Sequence, residues 1–371
     1  MLKQYKLRNY HFQLVIYLVI LTVIGIMVIG SAEKSVQSKQ IIGFAMGMIC
    51  MVIISLMDYS FLQRFSWLYY IGINILLVLV MVMGDETNGS QRWIDIAGVR
   101  FQPSELAKII IVLVFSYYFM KNQETVNTLW TLVVGFVLIG IPLLLILKQP
   151  DTSTTILVAI IFIVLLFIAG LSYKIILTVL GISIPIGIVA LSWIVKNADA
   201  LIAGGHYQVK RIMSWLFPSN PAYSGTATQQ QNSIMAIGSG QLWGKGLNNS
   251  VATSMKNSNY IIEPQTDFIF AVAGEELGFV GTFTILLLLF LIVMECILIG
   301  RKAKDLGGRL ICCGMAALVG FQSFINLCVA TGLMPNTGIP LPFVSYGLTS
   351  LLSLYIGMGF VLNVGLQPKK Y

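Results

Sequence analysis

Glu263-Pro264-Gln265-Thr266-Asp267-Phe268-Ile269-Phe270 joins a long polar stretch, 196–267, to a long apolar one. The junction marks the start of a membrane span and puts a carboxylate at its mouth. Desolvating a carboxylate at membrane depth is costly, so one found there faces protein or water and is a candidate functional group. Thr266 or Asp267 could instead accept the unpaired N–H groups of the helix that follows. By position alone that structural role is the commoner one.

Working outward, the composition matches a chain that lives in a bilayer. Of the 371 residues 57% are hydrophobic and 10% charged, with a mean hydropathy of +0.86, whereas soluble domains carry about 25% charged residues. A helix crosses the hydrocarbon in about 20 residues. Ten spans are expected, near 11–31, 40–57, 67–84, 103–120, 127–147, 152–170, 173–195, 268–300, 309–333 and 343–365. The fold class is an all-α integral membrane protein, a single polytopic domain with a large external loop, 196–267, between the seventh and eighth helices. The first apolar run exceeds the 7–15 residues of a cleaved signal sequence, so it reads as a retained helix.

Basic residues of the short loops set the orientation. With the N-terminus inside, Lys3, Lys6, Arg8, Arg64, Lys121, Lys174, Arg301, Lys302, Lys304, Arg309, Lys369 and Lys370 all fall on the cytoplasmic side. An even number of spans returns the C-terminus there as well. Acidic residues, from Glu33 and Asp85 through Asp151 to Asp267, Glu275 and Glu276, fall on the opposite side, so the polar chemistry faces outward. All five cysteines lie inside expected spans, which argues against disulfides across the external loops. Two histidines, His11 and His206, and no Cys/His cluster give zinc no ligand set. The glycines of Gly238-Ser239-Gly240 and Gly244-Lys245-Gly246 lack the spacing of a nucleotide loop and read as an interfacial turn. The net charge of +8 suits anionic lipids; nucleic acid is not an expected partner.

Four outward stretches carry chemistry. Arg92-Trp93-Ile94-Asp95 leads into Gln102-Pro103-Ser104-Glu105-Leu106-Ala107-Lys108, where proline and serine suit the first turn of a helix. Glu105 and Lys108, three apart, share a face. Lys108 lies about 10 Å into the membrane from Arg100 at 1.5 Å per residue, and a cation there needs a partner. The pair serves either structure alone or substrate binding; Trp93 on its own is an ordinary interface aromatic. Lys148-Gln149-Pro150-Asp151 sets a cation beside a carboxylate that is also a plausible N-cap. His206–Phe217 has helical amphipathic spacing and would lie flat, with Lys210 and Arg211 toward head groups; Gln229–Leu242 repeats that character. Met334–Gly347 holds three prolines and two glycines, which forbid a regular helix. Irregular backbone at membrane depth lines a cavity or is buried in protein, so a cavity opening outward is expected.

These motifs, with Ala236-Ile237-Gly238-Ser239-Gly240, Gly274-Glu275-Glu276-Leu277-Gly278 and Gly338-Ile339-Pro340-Leu341-Pro342-Phe343-Val344-Ser345-Tyr346-Gly347, resemble the SEDS proteins of bacteria (RodA, FtsW, SpoVE). The resemblance covers nearly the whole chain, and the short termini and Arg92-Trp93-Ile94 look more like the RodA branch than FtsW. It implies a ten-helix peptidoglycan glycosyltransferase of the bacterial cytoplasmic membrane, both termini inside. Such an enzyme polymerises lipid II on the outer face for elongation and cell shape, alongside a class B penicillin-binding transpeptidase. By resemblance the essential carboxylate is Asp267, the important tryptophan Trp93, the buried pair Glu105 and Lys108, and the Gln-Pro-Asp carboxylate Asp151. Two motifs depart from the family: Ser-Tyr-Gly-Gly becomes Ser345-Tyr346-Gly347-Leu348, and Asp-Leu-Gly-Thr becomes Asp151-Thr152-Ser153-Thr154.

In that chemistry the 4-hydroxyl of one lipid-linked disaccharide attacks the anomeric carbon of another and expels undecaprenyl pyrophosphate. Asp267 is the candidate general base. Lys108, Lys148, Lys210 and Arg211 are candidates for the leaving pyrophosphate, as is a divalent cation, Mg or Mn; Ser345 belongs to the binding set. Two other readings stand beside it: a lipid II flippase that uses the same residues, with Asp151, Glu105 and Lys108 at its polar centre, and a scaffold that recruits a synthase, which would need neither the buried pair nor an acid at the cavity mouth.

Overall fold

With no water to pair the backbone, an apolar run can cross a bilayer only as a helix that satisfies itself. The computed structural model, which describes residues 10–87, 90–96, 99–204, 207–220, 224–248 and 263–367, folds all ten expected spans this way. They are α1 (Phe12–Ala32), α2 (Lys34–Leu56), α4 (Ser66–Met83), α5 (Pro103–Lys121), α6 (Leu129–Lys148), α7 (Thr152–Ile168), α8 (Tyr173–Lys196), α12 (Ile269–Arg301), α13 (Leu306–Ala330) and α14 (Leu348–Leu366). A short α3 (Tyr59–Gln63) turns the chain between α2 and α4. Among the described residues nine helices are long and apolar enough to cross a membrane, and the 17-residue α7 is the shorter tenth. The protein is therefore a multi-pass helical membrane protein.

Two boundaries differ from the sequence reading for a physical reason. α2 starts at Lys34 rather than 40 because its first turns, Lys34-Ser35-Val36-Gln37-Ser38-Lys39, are polar and invisible to a hydropathy scan. α14 starts at Leu348 rather than 343 because the proline-rich segment before it is not helical. α5, α13 and α14 are the most deeply buried spans. α8 is different: its described side chains are largely exposed, as lipid permits for a helix that is apolar all round.

The stretches expected to be external are more ordered than loops. Between α4 and α5 the chain forms a small antiparallel sheet, β1 (Asp85–Thr87), β2 (Ser90–Ile96) and β3 (Val99–Phe101), in the order β1-β2-β3. Asp95 stands opposite Arg100 across β2 and β3, a favourable cross-strand pair. Among the described residues this sheet is the one addition to the all-α expectation. The long loop contains α9 (Ala198–Ala203), α10 (Tyr207–Leu216) and α11 (Ser224–Ser239), so both amphipathic stretches become helices. His206 lies outside the described residues.

α12 is 33 residues long, more than the roughly 30 Å of hydrocarbon requires at 1.5 Å per residue. It breaks at Gly278, with φ 65° and ψ −162°, a region essentially restricted to glycine. The loop after α11 takes up the backbone groups freed there. Lys245 and Gly246 N–H donate to the Glu275 and Glu276 carbonyls (2.9 and 3.0 Å), and Phe279 and Val280 N–H donate to the Gln241 and Leu242 carbonyls (2.8 and 3.1 Å). Lys245 Nζ pairs with the buried Glu275 at 2.7 Å, and Ser31 Oγ donates to Glu276 Oε1 at 2.5 Å. The glycines read as an interfacial turn are therefore a clamp on a broken helix. A Cβ at Gly278 would collide with Gly244 N and Leu242 O. Gly278→Ala is expected to cost about 1–3 kcal/mol in backbone strain alone, read as a lower Tm in detergent; an unchanged Tm would remove the clamp.

Candidate active site

At the end of the bundle that carries the sheet and α9–α11 lies a cavity of about 200 Å3. Its walls come from six places in the chain: Arg92 and Trp93 on β2, Gln102, Glu105 and Lys108 at the start of α5, Asp151, Thr154 and Leu157 at the start of α7, Arg211 on α10, Glu263 with Thr266 and Asp267, and Gly338–Pro340 with Tyr346, Gly347, Thr349 and Ser350.

Asp267 is half-buried at its mouth. The α12 N-cap is Phe268, with no side-chain cap hydrogen bond, so Asp267 is not spent on capping. Burial pushes its pKa up to about 6; Arg211 and Arg92 pull the other way, while Glu263 and Asp151 add to the rise. Gly338, at φ +72°, sits beside it: a Cβ there would lie 3.3 Å from Asp267 Oδ2. The glycine lets the irregular segment approach the carboxylate.

Deeper in the cavity, Lys108 and Glu105 are nearly inaccessible, 2% and 4% exposed. Lys108 Nζ pairs with Glu105 Oε1 at 2.8 Å and donates to Gln322 Oε1 at 2.9 Å, and Gln322 Nε2 donates to the Pro340 carbonyl at 2.9 Å. Proline at the first turn of α5 leaves its missing N–H without cost and aims this face inward. Asp151 caps α7, accepting from Thr154 N–H at 3.2 Å. It also receives Gln102 Nε2 at 3.5 Å and lies 4.0 Å from Arg92 Nη1. Arg92 donates through Nε to the Gln149 carbonyl at 3.1 Å and through Nη2 to the Pro150 carbonyl. The guanidinium thus ties the sheet to the Lys-Gln-Pro-Asp turn.

The structure brings Asp267, Trp93, Glu105, Lys108, Asp151 and Arg211 to one cavity, and leaves Lys148, Lys210 and Ser345 off its walls. Lys148 ends α6 and is exposed, where a cation meets the negative helix end. Lys210 and Arg211 are neighbours on α10 and so point about 100° apart: Lys210 is exposed, while Arg211 Nη1 reaches the Asn336 carbonyl at 3.3 Å. Arg211 therefore faces the cavity rather than head groups. Ser345 is spent on backbone, accepting from Leu341 N–H and donating to the Thr266 carbonyl, both at 2.7 Å.

Both family departures find places. Leu348 turns away from the cavity: its Cδ2 is the atom nearest an ideal Cβ on Gly43 of α2. Gly347, whose N–H donates to Gln40 Oε1 at 3.3 Å, keeps the cavity wall. Ser153 Oγ donates to the Thr337 carbonyl at 2.5 Å, so the substituted motif helps to fix the same irregular segment. Residues absent from the expected set are Arg92, Gln102, Glu263, Gln322 and Asn326. The last two had a signal: an amide pair four apart in an otherwise apolar span is costly unless it is used.

Residues 6–370 match the family model of FtsW, RodA and SpoVE, described as "Cell cycle protein". Similar proteins include the probable peptidoglycan glycosyltransferase FtsW of Trichlorobacter lovleyi, 32% identical over 98% of this chain and 94% of its own. Another is the peptidoglycan glycosyltransferase MrdB of Escherichia coli K12, 34% identical over 96% and 93%. Among solved structures, the rod shape determining protein RodA of Thermus thermophilus matches with a TM-score of 0.69 at 26% identity, covering 96% of both chains. A chain from a structure described as "Structural coordination of polymerization and crosslinking by a peptidoglycan synthase complex" matches with a TM-score of 0.78 at 28% identity, over 96% of this chain and 97% of that one. Motif order, helix count and these matches agree, and the chain belongs to the FtsW/RodA/SpoVE family, the SEDS proteins.

Proposed function

We propose that this protein is a peptidoglycan glycosyltransferase that joins lipid II disaccharides into glycan strands at the outer face of the bacterial cytoplasmic membrane, with both termini inside. The observation that carries this reading is a single cavity lined by a half-buried carboxylate, Asp267, a buried cation, Lys108, and two arginines, Arg92 and Arg211. The 4-hydroxyl of the acceptor sugar gives its proton to Asp267 as its oxygen bonds to the donor's anomeric carbon. The bond from that carbon to the phosphate oxygen breaks, and undecaprenyl pyrophosphate leaves with the electron pair. A base with a pKa near 6 is ionised at neutral pH yet still basic enough to help. Arg92, Arg211 and Lys108, which line the cavity, would meet the pyrophosphate charge, preorganised by their contacts with the protein. Both lipid tails stay in the bilayer.

Among the described residues no three His, Cys, Asp or Glu side chains gather into a metal-holding set. Asp267 and Glu263 on the cavity wall would hold a divalent cation, which would supply positive charge to the leaving pyrophosphate. The partner is a class B penicillin-binding transpeptidase, and Arg92-Trp93-Ile94 favours the elongation role.

The test is glycan polymerisation from purified lipid II in detergent, with and without the cognate transpeptidase. Long strands are expected; lipid II translocation in liposomes without any glycan would replace this reading with transport. Lys148→Ala and Lys210→Ala, off the cavity walls, are expected to leave the rate essentially unchanged.

A further inference from the structure

We propose that Asn326, on α13, is the positioning residue that holds Asp267 in register with the cavity; the proposal rests on the reading of Asp267 as the base. Three successive carbonyls lead up to that carboxylate, and each has a donor. Tyr346 N–H holds Gln265 at 2.8 Å, Ser345 Oγ holds Thr266 at 2.7 Å and Asn326 Nδ2 holds Asp267 itself at 2.9 Å. The first two donors sit in the irregular segment before α14, which could shift together with the chain it holds. Asn326 is 1% exposed in the last turns of a regular span, so it alone of the three ties Asp267 to a regular helix.

The same amide donates to the Ile339 carbonyl at 2.7 Å, next to the glycine that abuts the Asp267 carboxylate. One turn earlier on the same face, Gln322 accepts from Lys108 Nζ and donates to the Pro340 carbonyl. Spacing of four puts both amides on one stripe of α13. That stripe sets the base, the buried cation and the segment between them in one frame. No side chain of α13 needs to touch substrate for this to matter, since a misplacement of about 1 Å can cost about 100-fold in rate.

Asn326→Ala removes both donors, and Asn326→Asp keeps the volume while replacing donors with acceptors. Each is expected to lower the kcat for polymerisation by about 10–100-fold, with the KM for lipid II little changed. The acid limb of the pH profile should also move, because Arg211, Glu263, Arg92 and Asp151, which surround the carboxylate, change distance from it. Asn363, equally buried at the other end of the bundle and bonded to the Ser55 carbonyl, serves as comparator: Asn363→Ala should lower Tm without moving the limb. A second readout needs no turnover. Carbodiimide labelling of Asp267, followed by mass spectrometry, should become several-fold faster in Asn326→Ala. Unaltered labelling, or a loss of activity that merely tracks Tm as in Asn363→Ala, overturns the proposal. Wild-type protein that makes no glycan, yet shows the labelling change, counts against the enzymatic reading and not against the positioning.

Discussion

Asp267→Asn is expected to lower glycan polymerisation by about 10²–10⁴-fold, the usual worth of a positioned general base, in a protein that stays folded. This substitution separates two roles. Asparagine is as good a helix cap as aspartate, so a capping residue would tolerate the change. The α12 first turn receives no side-chain cap, and only the lost basicity remains to matter. Wild-type activity should rise with pH through about 6, where Asp267 ionises, and that limb should vanish in the variant's residual rate. The stability effect has the opposite sign. A carboxyl whose pKa is raised from 3.8 to about 6 on folding binds its proton more tightly when folded. Its contribution is complete below pH 3.8 and is lost as pH rises through about 6. At pH 7.5 the ionised group is a net burden, and Asp267→Asn should leave Tm unchanged or raise it. A variant that polymerises at the wild-type rate would remove Asp267 from the chemistry.

Most of the architecture was legible because hydrocarbon imposes one rule. The ten spans follow from apolar length alone, and their ends moved furthest where polar turns extended α2 and prolines delayed α14. The cavity was legible too: Met334–Gly347 cannot be helical, and Asp267, Lys108 and Asp151 are too costly to face lipid. What the sequence leaves open is direction around a helix axis. Lys210 and Arg211 are equivalent as text, yet α10 turns one outward and one inward. Nothing in α8 signals that it stands apart, because lipid and a protein interior are equally apolar to Leu and Ile. The clamp at Gly278 depends on backbone pairing between segments far apart in the chain, where side-chain patterning carries no signal. Arg92 was legible only as a neighbour of Trp93, since its role is to reach two carbonyls of a turn more than fifty residues away.

Breaking the Glu105–Lys108 pair from one side is expected to cost about 3–5 kcal/mol, the usual price of leaving one buried charge uncompensated. Glu105→Ala strands the Lys108 ammonium with Gln322 as its remaining partner among the described residues, and Lys108→Met strands a carboxylate whose Oε2 already has no hydrogen-bond partner among them. Both should express poorly and melt early in detergent, so neither alone tells structure from catalysis. The double variant Glu105→Leu/Lys108→Met does. Replacing a buried ion pair with apolar residues of similar volume is often neutral or stabilising, so this variant should recover Tm to near the wild-type value. If the pair serves only packing, polymerisation recovers with the fold. If Lys108 meets the pyrophosphate, as its place on the cavity wall indicates, the refolded double variant stays inactive. Removing one preorganised electrostatic contact to a developing charge costs about 10²–10³-fold in kcat. Melting temperature and rate, measured on the same preparation, therefore separate the two roles that the sequence left even.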